Sequence, residues 1–129
     1  MLSEQVAKSI KDTKVLSFDF EPEVVQRMQA KTKIVDYRVM DMLKMDLEAA
    51  SHDIVLDKGS FDAICCTSDV ETKEKTSKYC QEIKRVLNLK GAFLLVSLLQ
   101  DFVLADLLDN FTSDESDPYE ITIHLIHKP

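Results

Sequence analysis

The chain has 129 residues, of which 45% are hydrophobic and 30% charged, with a net charge of −7. This length predicts a single domain over residues 1–129 that can bury a core. The negative charge argues against a nucleic-acid partner, because such affinity comes largely from clustered Lys and Arg. No stretch approaches the ~20 apolar residues that span a bilayer, and residues 1–11 are too polar for a signal peptide. We therefore expect a cytoplasmic protein that binds neither nucleic acid nor membrane.

Apolar periodicity predicts the order helix, strand, helix, strand, strand, helix, strand, helix, strand. The predicted helices cover residues 2–11, 22–28, 68–87 and 101–111, and the predicted strands 14–18, 34–40, 53–56, 92–97 and 119–127. Such alternation is typical of an α/β fold, a parallel or mixed sheet with helices on both faces. The strand at 92–97 is apolar almost throughout, which predicts cover on both of its faces. A capping box, Ser68-x-x-Glu71, opens the third helix.

The sequence contains three cysteines, Cys65, Cys66 and Cys80, without any C-x-x-C pair. This usage favours reduced thiols in or near the core. His124 and His127 lie three apart on a predicted strand, so they point to opposite faces and are poor joint ligands. No zinc-ligand spacing occurs, and we expect no metal.

Three aspartates, Asp19, Asp41 and Asp57, each follow directly on a short apolar run. The runs are predicted parallel strands, and ligands of open α/β sheets bind beyond the carboxyl ends of the strands. Acids repeated at that edge indicate a pocket for a molecule rich in hydroxyl and amine groups. A nucleoside fits this description better than an anion does.

Several segments resemble class I S-adenosylmethionine-dependent methyltransferases. Residues 17–25, SFDFEPEVV, followed by Met28, resemble the second strand and helix of that family, and Asp41-Met42 resembles its adenine-side acid. The sharpest match is residues 54–63, IVLDKGSFDA. It is similar to the "LDKGTLDA" signature of the methyltransferase-like subgroup that modifies translation elongation factor 1-alpha on lysines or at its N-terminus. The resemblance covers roughly residues 2–111 and implies a Rossmann-like sheet.

The chain departs from the family at its start. Family members begin with a strand and a G-x-G loop that wraps the methionine part of the cofactor. This chain has two glycines, Gly59 and Gly91, and begins near the helix that follows that loop. The resemblance therefore implies an N-terminally truncated fold, and a fragment, a shortened isoform and a degenerate relative remain open.

The resemblance also implies roles for individual residues. Asp19 would accept hydrogen bonds from both ribose hydroxyls of S-adenosylmethionine, with Phe20 beside it in the cofactor site. Asp41 would take the adenine amino group while Met42, or the preceding methionine, packs on the ring. Asp57 would contact the cofactor at the methyl-transfer end. There it would act as the catalytic carboxylate that orients a neutral lysine amine and receives its proton.

Structural explanations compete with these roles. Asp19 can be an acid favoured at a helix N-terminus. Asp57 can cap the turn at Gly59 and the helix that follows. For Lys58 and Asp62 an ion pair is an adequate explanation.

We therefore predict S-adenosylmethionine-dependent methyl transfer to a protein amine, foremost a lysine, with a protein such as a translation factor as partner. The alternative is a catalytically inactive methyltransferase-like fragment that acts as a protein-interaction module. A nicotinamide-dependent oxidoreductase is a further rival, but it needs the same glycine loop and leaves the Asp-Lys-Gly segment without a role. The sequence does not define an oligomeric state.

Overall fold

A computed structural model describes residues 1–113 and 119–126 of the chain. It divides into two compact units, residues 1–48 and residues 49–129. Each unit contains one pair of parallel strands with helices packed against them. The predicted α/β class with parallel strands is therefore confirmed.

The first unit has the order helix, strand, helix, strand. Its elements are α1 (Leu2–Ser9), β1 (Leu16–Asp19), α2 (Pro22–Lys31) and β2 (Asp36–Val39). Leu16 lies opposite Asp36 and Asp19 opposite Val39 in the strand pair. Pro22 opens α2, where its fixed φ suits a helix and its missing N–H costs nothing. The core of the unit consists of the buried residues Val25, Met28, Val35 and Tyr37.

The second unit contains the longer strands. Its elements are β3 (His52–Lys58), α3 (Ser60–Ile64), α4 (Val70–Val86), β4 (Leu87–Val96) and α5 (Asp101–Thr112). The pair β3–β4 runs in register from Ile54 opposite Ala92 to Lys58 opposite Val96. A side chain at Gly91 would meet the carbonyl oxygens of Asn88 and Asp53 at 3.1 Å, so glycine permits this close approach. The buried residues of α4 include Tyr79, Cys80, Ile83 and Val86, which recur at helical spacing on one face.

Several predictions about elements are wrong. Residues 119–126 contain no strand, and His127 lies outside the described residues. The cap of α4 is Asp69, whose carboxylate accepts a hydrogen bond of 2.8 Å from the N–H of Thr72, and not Ser68. Strand β4 is not covered on both faces, because Leu94 and Val96 are 50% and 48% exposed. The helix expected after the turn at Gly59, whose bounds were not predicted, is the short α3.

The cysteines are all free. Burial is the main cause that raises the pKa of Cys65 to about 11 and that of Cys80 to about 12. These two are the core thiols that were predicted, whereas Cys66 is exposed. Within residues 1–113 and 119–126, no cluster of three or more His, Cys, Asp or Glu is placed to hold a metal ion. None of the helices described is long and apolar enough to cross a membrane.

Candidate functional site

The carboxyl ends of β1 and β2 form one edge of the first unit. Asp19 is the last residue of β1, and Asp41 lies two residues beyond the end of β2. Because the strands are parallel, both acids follow strands that end at the same edge, as predicted. This is the edge at which open α/β sheets bind their ligands.

Asp19 is half-buried, and the structure engages only one of its two carboxylate oxygens. Its Oδ1 accepts a hydrogen bond of 3.0 Å from the N–H of Glu21, and this contact stabilises the turn that leads into α2. The N-cap position of α2 is Glu21, so Asp19 is not itself the cap. In the described part of the chain, no group donates a hydrogen bond to the second oxygen of Asp19. That oxygen is available to a hydroxyl donor.

Phe20 follows Asp19 directly and is 66% exposed. A phenyl ring exposed to this extent gains little from burial within the chain. It follows β1 directly, at the carboxyl edge of the first unit. An exposed apolar ring and a hydrogen-bond acceptor at the same strand end suit a ligand with both an aromatic part and a hydroxylated part.

The segment after β2 forms a tight turn around Asp41. The Oδ1 of Asp41 accepts from the N–H of Leu43 at 2.8 Å, and its carbonyl accepts from the N–H of Lys44 at 3.1 Å. Met40 is buried, with 7% of its surface exposed, whereas Met42 is only half-buried. Of the two methionines considered for the adenine ring, Met42 is therefore the accessible one.

Asp57 occupies the carboxyl end of β3 in the second unit and is 3% exposed. Its Oδ1 accepts from the N–H of Ser60 at 2.7 Å. Its Oδ2 accepts from the N–H of Phe61 at 2.8 Å and from the hydroxyl of Tyr79 at 2.9 Å. These are the capping bonds expected from the structural explanation of Asp57. They occupy both oxygens with donors from within the chain.

Tyr79 and Gly59 complete the surroundings of Asp57. Burial, and then the neighbouring carboxylate, raise the pKa of the Tyr79 hydroxyl far above its usual range, so it remains a donor. Gly59 has φ +88°, in the left-handed region that favours glycine. The reversal at Gly59 brings the first N–H groups of α3 onto the carboxylate. The Asp-Lys-Gly-Ser-Phe sequence is thus explained as one turn with its own cap.

A further acid, Asp62 in α3, reaches the segment after β4. Its Oδ1 accepts a hydrogen bond from the hydroxyl of Ser97, and its Oδ2 accepts from the N–H of Leu98 at 3.0 Å. Among the described residues neither Lys58 nor Asp62 forms an ion pair. Sequence reasoning missed this contact because its partners lie 35 and 36 residues apart along the chain.

Two cavities lie away from the predicted site residues. A shallow cleft of about 530 Å³ in the first unit is lined by Gln29, Thr32, Lys33, Val35, Asp36 and Tyr37. Asp36 begins β2, so this cleft lies towards the amino end of that strand and not at the edge that carries Asp41. A cavity of about 80 Å³ in the second unit lies between the start of α4 and α5.

The fold resembles that of a Rossmann-like α/β protein of known structure. In the complex between the Haloferax volcanii Trm112 methyltransferase activator and a methyltransferase, the similar chain has a TM-score of 0.58 and 21% identity. The match covers 71% of this chain and 38% of that one. The methyltransferase domain family matches residues 2–95, and the chain belongs to this family.

Two relatives with assigned names show which members of the family this chain is similar to. The eEF1A lysine and N-terminal methyltransferase of Bos taurus is 28% identical over 104 residues, which are 78% of this chain and 15% of that protein. The EEF1A lysine methyltransferase 2 of Homo sapiens is 28% identical over 103 residues, which are 76% of this chain and 42% of that protein. The chain thus spans less than half the length of either relative. The resemblance to class I methyltransferases of this subgroup is confirmed.

Proposed function

We propose that residues 1–129 are one methyltransferase domain that uses S-adenosylmethionine to methylate an amine of a protein. The family match runs from residue 2 to residue 95 and so includes parts of both compact units, which supports one domain. The relatives named for methylation of elongation factor 1A support a lysine of that factor as the acceptor. A cytoplasmic location, where such a factor works, stays a prediction.

The observation that carries this proposal is the end of β1, where Asp19 and Phe20 follow one another. The half-buried carboxylate of Asp19 keeps one oxygen without a partner among the described residues, and the next residue, Phe20, is 66% exposed. These residues fit the nucleoside half of S-adenosylmethionine, which offers a vicinal diol and an aromatic base. Asp41 and Met42, at the same edge, would hold the adenine amino group and the ring face.

When bound, S-adenosylmethionine supplies an activated methyl group on its sulfonium sulfur, and transfer to an amine leaves S-adenosylhomocysteine. The protein must present the acceptor nitrogen unprotonated and take up the proton that it loses. Asp57 was predicted for that task and stays a candidate. Since its oxygens already accept three hydrogen bonds, we assign it first to holding residues 59–61 in place.

Calorimetric titration of the purified chain with S-adenosylmethionine tests the proposal, with circular dichroism to confirm folding. Asp19→Asn should weaken binding by roughly tenfold to a hundredfold, because hydrogen bonds to charged groups contribute about 1.5–3 kcal/mol. Asp36→Asn is the matched control. Asp36 lies at the opposite end of the same strand pair, where it forms an exposed ion pair with Arg38 at 2.6 Å. Its replacement should leave binding unchanged.

Two outcomes contradict the proposal. A folded wild-type chain that gives no saturable heat would refute cofactor binding and favour the interaction-module alternative. Equal affinities for wild type and Asp19→Asn would refute the role of Asp19.

A further inference from the structure

The segment that follows β4 holds a large apolar side chain in solvent. Leu98 is 87% exposed and lies two residues beyond Val96, the last residue of β4. Because β3 and β4 are parallel, this segment leaves the strand pair at the same edge as Asp57. Exposed leucines occur singly on most proteins and need no explanation by themselves. The backbone around this one is unusual.

Two side chains, those of Asp62 and Ser97, accept hydrogen bonds from the backbone N–H groups of Leu98 and Leu99. Asp62 accepts from the N–H of Leu98 at 3.0 Å and from the hydroxyl of Ser97. The Ser97 hydroxyl in turn accepts from the N–H of Leu99 at 2.8 Å. The carboxylate and the hydroxyl thus satisfy the first two N–H groups that lie beyond Ser97.

The backbone at the next position is also strained. Leu99 has φ +50°, a conformation that costs a non-glycine residue free energy and persists only where the surroundings enforce it. Residues 97–99 are therefore held in one conformation by hydrogen bonds to the half-buried carboxylate of Asp62, and this conformation includes a strained backbone at Leu99. None of these contacts buries Leu98 itself.

We propose that Asp62, acting through Ser97, is a positioning residue that holds Leu98 as a contact for the methyl acceptor. The acceptor feature that this leucine fits is an apolar patch of a protein surface close to the target amine. Leu98 follows β4 at the edge that carries Asp57, the residue predicted for the methyl-transfer end, so it suits the acceptor better than the nucleoside half of the cofactor. This inference rests on the proposed function and adds a specificity residue to it.

The first test replaces the exposed side chain. Leu98→Ser should raise the KM for purified elongation factor 1A by about tenfold or more, since contact with a leucine removes apolar surface from water. The kcat and the affinity for S-adenosylmethionine should stay at wild-type values. Leu89→Ser is the matched control, because Leu89 is 92% exposed and lies in β4 near the end of the strand that is remote from Leu98. It should not change the KM.

The second test removes the support. Asp62→Ala and Ser97→Ala should raise the same KM and accelerate amide hydrogen exchange at Leu98 and Leu99. Ser97→Thr keeps the hydroxyl and should restore both values. Faster exchange with an unchanged KM would overturn the positioning role, because the contact would then be structural only.

Failure of this inference can be told apart from failure of the proposed function. If wild type binds S-adenosylmethionine and methylates the factor, but Leu98→Ser leaves its KM unchanged, the inference is overturned and the function stands. If the folded wild-type chain gives no binding heat or no methylation of the factor, the function fails, and the inference fails with it.

Discussion

The hydroxyl of Tyr79 donates a hydrogen bond of 2.9 Å to the carboxylate of Asp57 and so joins the middle of α4 to the end of β3. Both residues are buried, with 4% and 3% of their surfaces exposed. A carboxylate in such a place is tolerated because each of its oxygens is hydrogen-bonded. The stability of the second unit should therefore depend on this contact.

Tyr79→Phe should lower the free energy of unfolding by about 1.5–3 kcal/mol, the range for hydrogen bonds to charged groups. Urea denaturation followed by circular dichroism measures the change. Tyr37→Phe is the control, since that hydroxyl contacts the neutral hydroxyl of Ser3 at 3.1 Å. Its loss should cost only about 0.5–1.5 kcal/mol. Equal losses in the two variants would contradict a special role for the carboxylate.

Asp57→Asn should destabilise the chain more than Tyr79→Phe does. The amide retains one acceptor oxygen and turns an NH₂ group towards donors, so at least one of three hydrogen bonds is lost. Each buried donor left without a partner costs about 1–3 kcal/mol. The same urea titration measures the difference. A variant of wild-type stability that has lost methyl transfer would instead support the catalytic role first predicted for Asp57.

The start of α4 offers a test of two neighbouring residues. Asp69→Ala removes the cap that accepts from the N–H of Thr72, and it should cost about 1 kcal/mol of stability. Ser68→Ala should change stability by less than about 0.5 kcal/mol, as expected for surface positions without special contacts. Thermal unfolding of both variants provides the comparison. A larger loss of stability in Ser68→Ala than in Asp69→Ala would show that Ser68 caps α4, as the sequence predicted.

Alkaline pH should destabilise the chain through its buried thiols. The pKa of Cys65 is raised from 9.0 to about 11 and that of Cys80 from 9.0 to about 12, mainly by burial. A group whose pKa is raised by folding contributes stability below its unfolded pKa and loses it as the pH rises towards the folded value. The free energy of unfolding should therefore be level near pH 8 and fall between pH 9 and pH 12.

Urea titrations at pH 8, 9, 10 and 11 (roughly the span over which thiols deprotonate) measure this slope. Replacing Cys65 and Cys80 together by alanine should reduce the decline, although it also lowers stability at neutral pH. Cys66→Ala should preserve the decline, because that thiol is exposed. If stability falls with pH equally in wild type, in the double variant and in Cys66→Ala, burial of the thiols is not the cause of the decline.

Phe20→Ala tests the cofactor role of the exposed ring. The affinity for S-adenosylmethionine should fall by about fivefold, since aromatic contacts contribute about 0.5–1.5 kcal/mol beyond the area they bury. Stability should hardly change, because the ring is 66% exposed. Ile34→Ala removes a half-exposed apolar side chain elsewhere in the first unit and should leave binding intact. Calorimetric titration of wild type, Phe20→Ala and Ile34→Ala with S-adenosylmethionine measures the three affinities. Equal affinities for wild type and Phe20→Ala would contradict the role of the ring.

Much of the fold was predictable because local patterns encode local structure. The apolar runs before Asp19 and Asp57 located β1 and β3, and the helical spacing of Tyr79 and Ile83 located α4. The cap of α4 was assigned one residue early. Ser68 and Asp69 can both cap a helix, and the choice depends on the backbone angles at Asp69, φ −74° and ψ 167°.

Other features depend on contacts that no local pattern contains. Apolar and polar residues alternate over residues 119–126 as they do in a strand. This pattern shows only which side chains would point to opposite faces, and a strand also needs a neighbouring strand to pair with. The bond from Leu98 to Asp62 spans 36 positions and has no periodic signal. The resemblance predicts cofactor roles for Asp19, Asp41 and Asp57, whereas the division of Asp57 among three donors emerged only from the structure.

The capping of α3 by Asp57 bears on how relatives of this chain are recognised. All but one of the groups that engage this carboxylate come from residues 59–61, within four positions of it along the chain. Selection for folding alone can therefore preserve the aspartate and the glycine of the Asp-Lys-Gly signature. A lineage that stopped transferring methyl groups would keep these two residues for as long as it kept a folded β3–α3 turn. A search based on this string therefore detects relatives that share ancestry with this chain. Whether such a relative transfers methyl groups has to be tested by a separate activity measurement.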